Sequence, residues 1–176
     1  MTSGQKITES HTGHWPLRYI APMSAALLTS ALLSFGGILV TAWDGVTGVA
    51  LSRHILFGIF STMLTLLTHS MLMFYLIGKG KAVREAAAEG GLSGDFARRI
   101  AELRRPVFSL ATLAMSLTII AALAGASVDT GTLPASVHGL LAAVAIAANV
   151  VMLPVEVSAL MASAEVVAEV NHLLNA

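Results

Sequence analysis

Among the six histidines of this chain, His54 and His69 stand on one recurrent face. His54, Gly58, Thr62, Thr65 and His69 follow one another at intervals of four, four, three and four residues. On an α-helix that spacing keeps them within about 80° of arc, with Ser61 at the border. His138, Ala142, Ala145, Asn149, Met152, Glu156 and Ser163 form a second stripe, in a segment otherwise rich in Leu, Val, Ile and Ala. Imidazole binds metals, carries protons or donates hydrogen bonds, and a thioether can serve as an axial ligand of haem iron. A carboxylate beside a histidine adds a proton relay or a site with mixed N and O donors. Two other pairs say less. His11 and His14 lie in a polar leader and read as a solvated tail. Glu169 and His172 have the Glu-x-x-His spacing of di-iron bundles, which need a second such pair, and none exists here.

The elements that carry these stripes follow from composition. Of 176 residues, 56% are hydrophobic and 11% charged, against about 25% charged in a soluble domain. The mean hydropathy is +0.80. So small a chain cannot hide that much apolar surface in its own core, which excludes a water-soluble enzyme and a disordered or fibrous chain. Ten basic residues balance ten acidic ones, so charge gives no reason to expect a nucleic-acid partner. The absence of cysteine excludes disulfides and thiolate metal sites. Four apolar runs, at about 20–43, 55–77, 106–126 and 137–161, reach the roughly 20 residues needed to cross a bilayer. Backbone groups must be paired inside lipid, so the expected fold is all-α, an integral membrane four-helix bundle. The first run is longer than the core of a signal peptide and reads as a retained span behind a polar leader, 1–19.

Seven of the ten basic residues (Lys79, Lys81, Arg84, Arg98, Arg99, Arg104 and Arg105) fall between the second and third runs. The positive-inside rule puts that loop, 78–105, in the cytoplasm together with the N- and C-termini. A bacterial inner (plasma) membrane is the expected location. Glycines at 90, 91 and 94 divide the loop. Residues 81–89 extend the second helix, and 93–105 read as a short amphipathic helix capped by Ser93, with Phe96, Ile100 and Leu103 on one face. Its expected place is flat on the membrane surface, among anionic headgroups. Residues 162–176 continue the pattern of the fourth helix into the cytoplasm.

With this topology the second and fourth helices run in the same direction. His54 and His69 are fifteen residues apart, and His138 and Met152 fourteen, which correspond to rises of about 22 and 21 Å. If His54 and His138 share a depth, so do His69 and Met152. Such paired histidines, about four turns apart on the second and fourth of four helices, resemble the haem-binding core of the cytochrome b family of quinol-oxidising complexes. The resemblance covers residues 20–161 in topology and rests on four positions. It implies one or two b-type haems, on His54 with His138 and on His69 with Met152. It also implies electron transport, with a quinone or a redox protein as partner. This chain departs from the family in several ways. Its histidines on helix two are one residue further apart, and Met152 stands where the family has a fourth histidine. The family's paired glycines on helices one and three are matched only by Gly36, Gly37 and Gly125, with Pro22, Met23 and Ala111 fourteen positions earlier. No quinol-site motif is present.

The same residues admit other readings. His54 and His138 lie close to span ends, where a histidine can sit among headgroups. His69 can form an interhelical hydrogen bond to Asn149 or Glu156, and Met152 can fill a gap in the core. Glu156 falls within about one turn of His69 in depth, two residues after Pro154, a point where the helix can kink. Two further function classes therefore stand beside electron transfer. One is a cofactor-free accessory or assembly subunit of a larger membrane complex. The other is a small oligomeric transporter or channel using His69, Asn149 and Glu156.

Overall fold

The four apolar runs form four helices in the computed structural model, which describes residues 20–48 and 50–176, with side chains from Met23 onward. They are α1 (Ile20–Thr47), α2 (Leu51–Glu89), α3 (Phe96–Asp129) and α4 (Ala135–Leu174). Each is long and apolar enough to cross a membrane. Expectations that concern residues 1–19, among them His11 and His14, lie outside the described residues. Short connections leave consecutive helices no choice but to run antiparallel. They pack in sequence, α1 on α2, α2 on α3 and α3 on α4, with α4 closing back on α1 and α2. Gly91 and Gly131 occupy the left-handed region (φ +62° and +71°) in the α2–α3 and α3–α4 turns, where a β-carbon costs about 1–2 kcal/mol. The bundle thus has a histidine end, with the α1–α2 and α3–α4 turns, and a basic end, with the α2–α3 turn.

Packing is uneven along the axis. One apolar cluster fills the middle, built from Leu27 of α1, Leu72, Tyr75 and Leu76 of α2, Val107, Ala111 and Ala114 of α3, and Met152, Ala159 and Leu160 of α4. A second joins Val83, Phe96, Ile100, Val166, Val167 and Val170 at the basic end. At the histidine end, no residue of 51–60 in α2 or of 135–144 in α4 is buried, and His54, Gly58, His138 and Ala142 are half-buried. There α1 and α2 approach closely at Gly37, where a β-carbon would stand 2.5 Å from Ser61 Oγ.

The segment 93–105 differs from its expectation. It is not a separate helix on the membrane surface. It forms the opening turns of α3, which begins at Phe96 after Asp95 and runs unbroken through Pro106. The reason lies in its apolar face. Phe96 and Ile100 dock on Val83 of α2 and on Val166, Val167 and Val170 of α4, with Leu103 packed against the same cluster. Arg99 reaches Glu169 at 2.5 Å. These contacts hold the first turns in line with the rest of α3, and the missing N–H of Pro106 removes only one hydrogen bond. The helix does not start at a Ser93 cap, and Asp95, which makes no capping bond, pairs with Arg98. In the same way α4 passes through Pro154 without a break.

Candidate functional site

The helix pairing brings His54 of α2 and His138 of α4 together. Their ring centroids are 6.0 Å apart and their planes cross at 76°. Each ring is fixed by the neighbouring helix in the same manner. His54 Nδ1 lies 2.9 Å from the Thr41 carbonyl of α1, and His138 Nδ1 lies 3.1 Å from the Ala121 carbonyl of α3. A carbonyl only accepts, so both Nδ1 atoms carry the proton, and in the neutral ring Nε2 keeps the lone pair. Glycines make this approach possible. A β-carbon on Gly45 would stand 2.8 Å from His54 Cε1, and one on Gly125 would stand 3.0 Å from His138 Cε1. The site is thus a pair of imidazoles, each seated against a glycine of the adjacent helix and oriented through a backbone carbonyl. A carbonyl that holds one ring nitrogen and leaves the other basic is the arrangement that orients metal-ligating histidines.

His69 lies deeper and is engaged differently. Its Nδ1 contacts Glu156 Oε1 at 2.6 Å and its Nε2 contacts Asn149 Oδ1 at 3.1 Å, so both bonds foreseen as alternatives form together. The direction of each bond follows from the acceptors around it. Asn149 Nδ2 lies 2.8 Å from the Ala145 carbonyl, which fixes the nitrogen on that side of the amide. Its second hydrogen goes to Thr118 Oγ1 at 3.1 Å, whose own proton is given to the Ala114 carbonyl. Asn149 Oδ1 therefore faces His69 as an acceptor, and Nε2 must donate. One proton then lies between Nδ1 and Glu156. His69, Thr118, Asn149 and Glu156 are all nearly inaccessible, and the network ties α2, α3 and α4. Both ring nitrogens of His69 are occupied within the protein.

The other singled-out residues sit as follows. Met152 is fully buried in the central apolar cluster with Leu72, Leu76 and Ala111. Gly36 has nothing near its missing β-carbon, Gly37 packs on Ser61, and Gly125 faces His138. Gly45, Thr118 and Lys79 are additions that the stripes did not reveal. Lys79 is 4% exposed, donates to Ser163 Oγ at 3.1 Å and stands 4.7 Å from the Tyr75 ring centre. No carboxylate pairs with it among the described residues. Burial of an ammonium on a hydroxyl and an aromatic face alone is costly. At the outer limit of the histidine end, Asp44 of α1 is buried beneath Arg53 of α2, whose Nε donates to Oδ2 at 2.8 Å.

Among the described residues no three His, Asp or Glu side chains converge as a metal site. That leaves the two-histidine pair as the arrangement with ligand chemistry and the His69–Glu156 network as the one with proton chemistry. No protein-family model, no curated protein and no solved structure matches the chain.

Proposed function

We propose that this chain is a membrane-embedded electron carrier that holds one b-type haem between His54 and His138. The observation that carries the reading is the matched histidine pair. A porphyrin supplies four nitrogens to iron and needs only two from the protein, one on each face. With metal–nitrogen bonds of about 2 Å and roughly 1.1 Å from each nitrogen to its ring centre, two opposed imidazoles have centroids about 6 Å apart. The 6.0 Å between the two ring centroids is close to that spacing. The residues present also fit the group in their chemistry. Both Nδ1–H groups are committed to backbone carbonyls, both Nε2 atoms keep a lone pair, and the surrounding turns of α2 and α4 are apolar apart from Ser52, Arg53 and Ser136, with Arg53 neutralised by Asp44. His69 and Met152 are not ligands in this reading, because both nitrogens of His69 are already bonded and Met152 is packed in the core.

Bound haem supplies a one-electron ferric/ferrous couple. The chain's own part is to orient two imidazoles, exclude water and set the depth of the couple in the bilayer. The basic residues around the α2–α3 turn favour the cytoplasmic side for that end and for both termini, in a bacterial plasma membrane. The histidine end then faces outward, and the electron partner is a quinone in the outer leaflet or a redox protein on the outer face. A cofactor-free accessory subunit, assembled with itself or with other chains, is the second reading. The same 6.0 Å and 76° also describe a direct edge-to-face contact between two rings.

The deciding measurement is the visible spectrum of the detergent-purified chain, oxidised and then dithionite-reduced, with haem quantified per chain. One haem per chain is expected, lost in His54→Ala and His138→Ala and retained in His69→Ala. A colourless protein after expression with excess haem would sink the proposal and favour the accessory reading.

A further inference from the structure

We infer that Glu156, held on the His69 ring, is a proton acceptor that takes up one proton when iron held by His54 and His138 is reduced. This rests on the haem reading above. The geometry defines what the site can accept. His69 Nε2–H is fixed on Asn149, and Nδ1 shares one proton with Glu156 Oε1, so the pair as it stands is neutral. A second proton can join the carboxyl group without disturbing either bond, since the carbonyl oxygen of a carboxylic acid still accepts from Nδ1–H. The pair then carries one positive charge. Thr68, the residue before His69, supplies a further polar atom. Its hydroxyl is buried and is the one such side-chain atom without a hydrogen-bond partner among the described residues.

The surroundings leave this pair to respond. The pair is bonded to Asn149 of α4 and through it to Thr118 of α3, and the buried polar residues within about one turn of His69 on α2 are Thr65 and Thr68; none of these titrates. From α1 the buried side chains are Leu27, Ala31, Ser34 and, at the histidine end, Asp44, which is paired with Arg53. Lys79 and its partner Ser163 lie ten and seven residues further along α2 and α4, about 15 and 10 Å of rise towards the basic end. His54 is about 22 Å of rise in the other direction. In a bilayer no mobile ions lie between the two sites, so an electron added at one acts on the other with little screening. The balance is simple. A one-electron donor reduces ferric iron to ferrous, and a proton from water converts the Glu156 carboxylate into the carboxylic acid.

The test is a spectroelectrochemical titration of the full haem-loaded chain between pH 5.5 and 8.5, beside Glu156→Gln. Glutamine keeps an oxygen for His69 and removes the proton site. The midpoint potential of the wild type should fall as pH rises, at most by the tenfold in equilibrium constant per pH unit (about 59 mV) of one proton per electron. In Glu156→Gln the slope should shrink, with the spectrum unchanged. If that variant fails to fold, the infrared difference spectrum of the wild type serves instead. Reduction should raise a carboxylic-acid band that shifts on ¹³C-glutamate labelling. A pH-independent potential, an unchanged slope in the variant or no such band overturns this inference while haem binding stands. The absence of a Soret band would instead overturn the haem reading itself.

Discussion

Two hydrogen atoms in place of a side chain decide how closely His54 and His138 can lie against the neighbouring helices. Gly45→Ala puts a methyl group 2.8 Å from His54 Cε1, and Gly125→Ala puts one 3.0 Å from His138 Cε1. Both should lower haem per chain, Gly45→Ala more strongly, whereas Gly36→Ala meets nothing within 4 Å and should leave it unchanged. Equal haem content in all three would separate the glycines from the site. Deeper in the bundle, Asn149→Ala leaves His69 Nε2–H without its acceptor. The cost of a buried unsatisfied donor is about 1–3 kcal/mol, read as a lower unfolding midpoint in detergent. The His69 bonds were legible in the sequence because polar stripes on two apolar helices have only each other to face. Gly45 was not. It stands nine residues before His54 across a turn, and which residues of α1 and α2 come opposite each other depends on a turn geometry that periodicity does not carry. Lys79 was visible as one of seven basic residues between two spans, but nothing local distinguishes the one that folds inward onto Ser163.

The opening turns of α3 show how an element can be read correctly and placed wrongly. Phe96, Ile100 and Leu103 form an apolar face whatever covers it, lipid or protein, so the amphipathic pattern alone cannot name its partner. Here the partner is the pair of helix extensions from α2 and α4. Ile100 is 1% exposed at the centre of that contact. Its replacement by alanine should cost about 2–5 kcal/mol locally. The expected signature is earlier tryptic cleavage at Arg98 and Arg99, with the haem content proposed for the histidine end unchanged. If the segment instead lay on lipid, the cleavage rate would hardly change.

For the whole molecule, hydropathy already contained the four helices and their alternating direction, because a span in lipid has few other options. What it did not contain was the uneven packing along the axis. Orientation can be tested directly, since the chain has no cysteine to interfere. A single cysteine at Arg84 should react with an impermeant maleimide only from the cytoplasmic side, and one at Thr130 only from outside. Reaction of both from one side would overturn the four-span topology. The uneven packing has a mechanical consequence. Two apolar clusters brace the middle and the basic end, while at the histidine end the opening turns of α2 and α4 carry no buried side chain. Such a bundle behaves like a tuning fork, stiff in the stem and compliant in the tines. The stem can set on its own, and the tines can part and close without unfolding the rest, which is what the proposed haem would require of them. Amide exchange should show this as a gradient, fast around His54 and His138 in the chain as it stands and, on the haem proposal, slowed there, and only there, when haem is supplied.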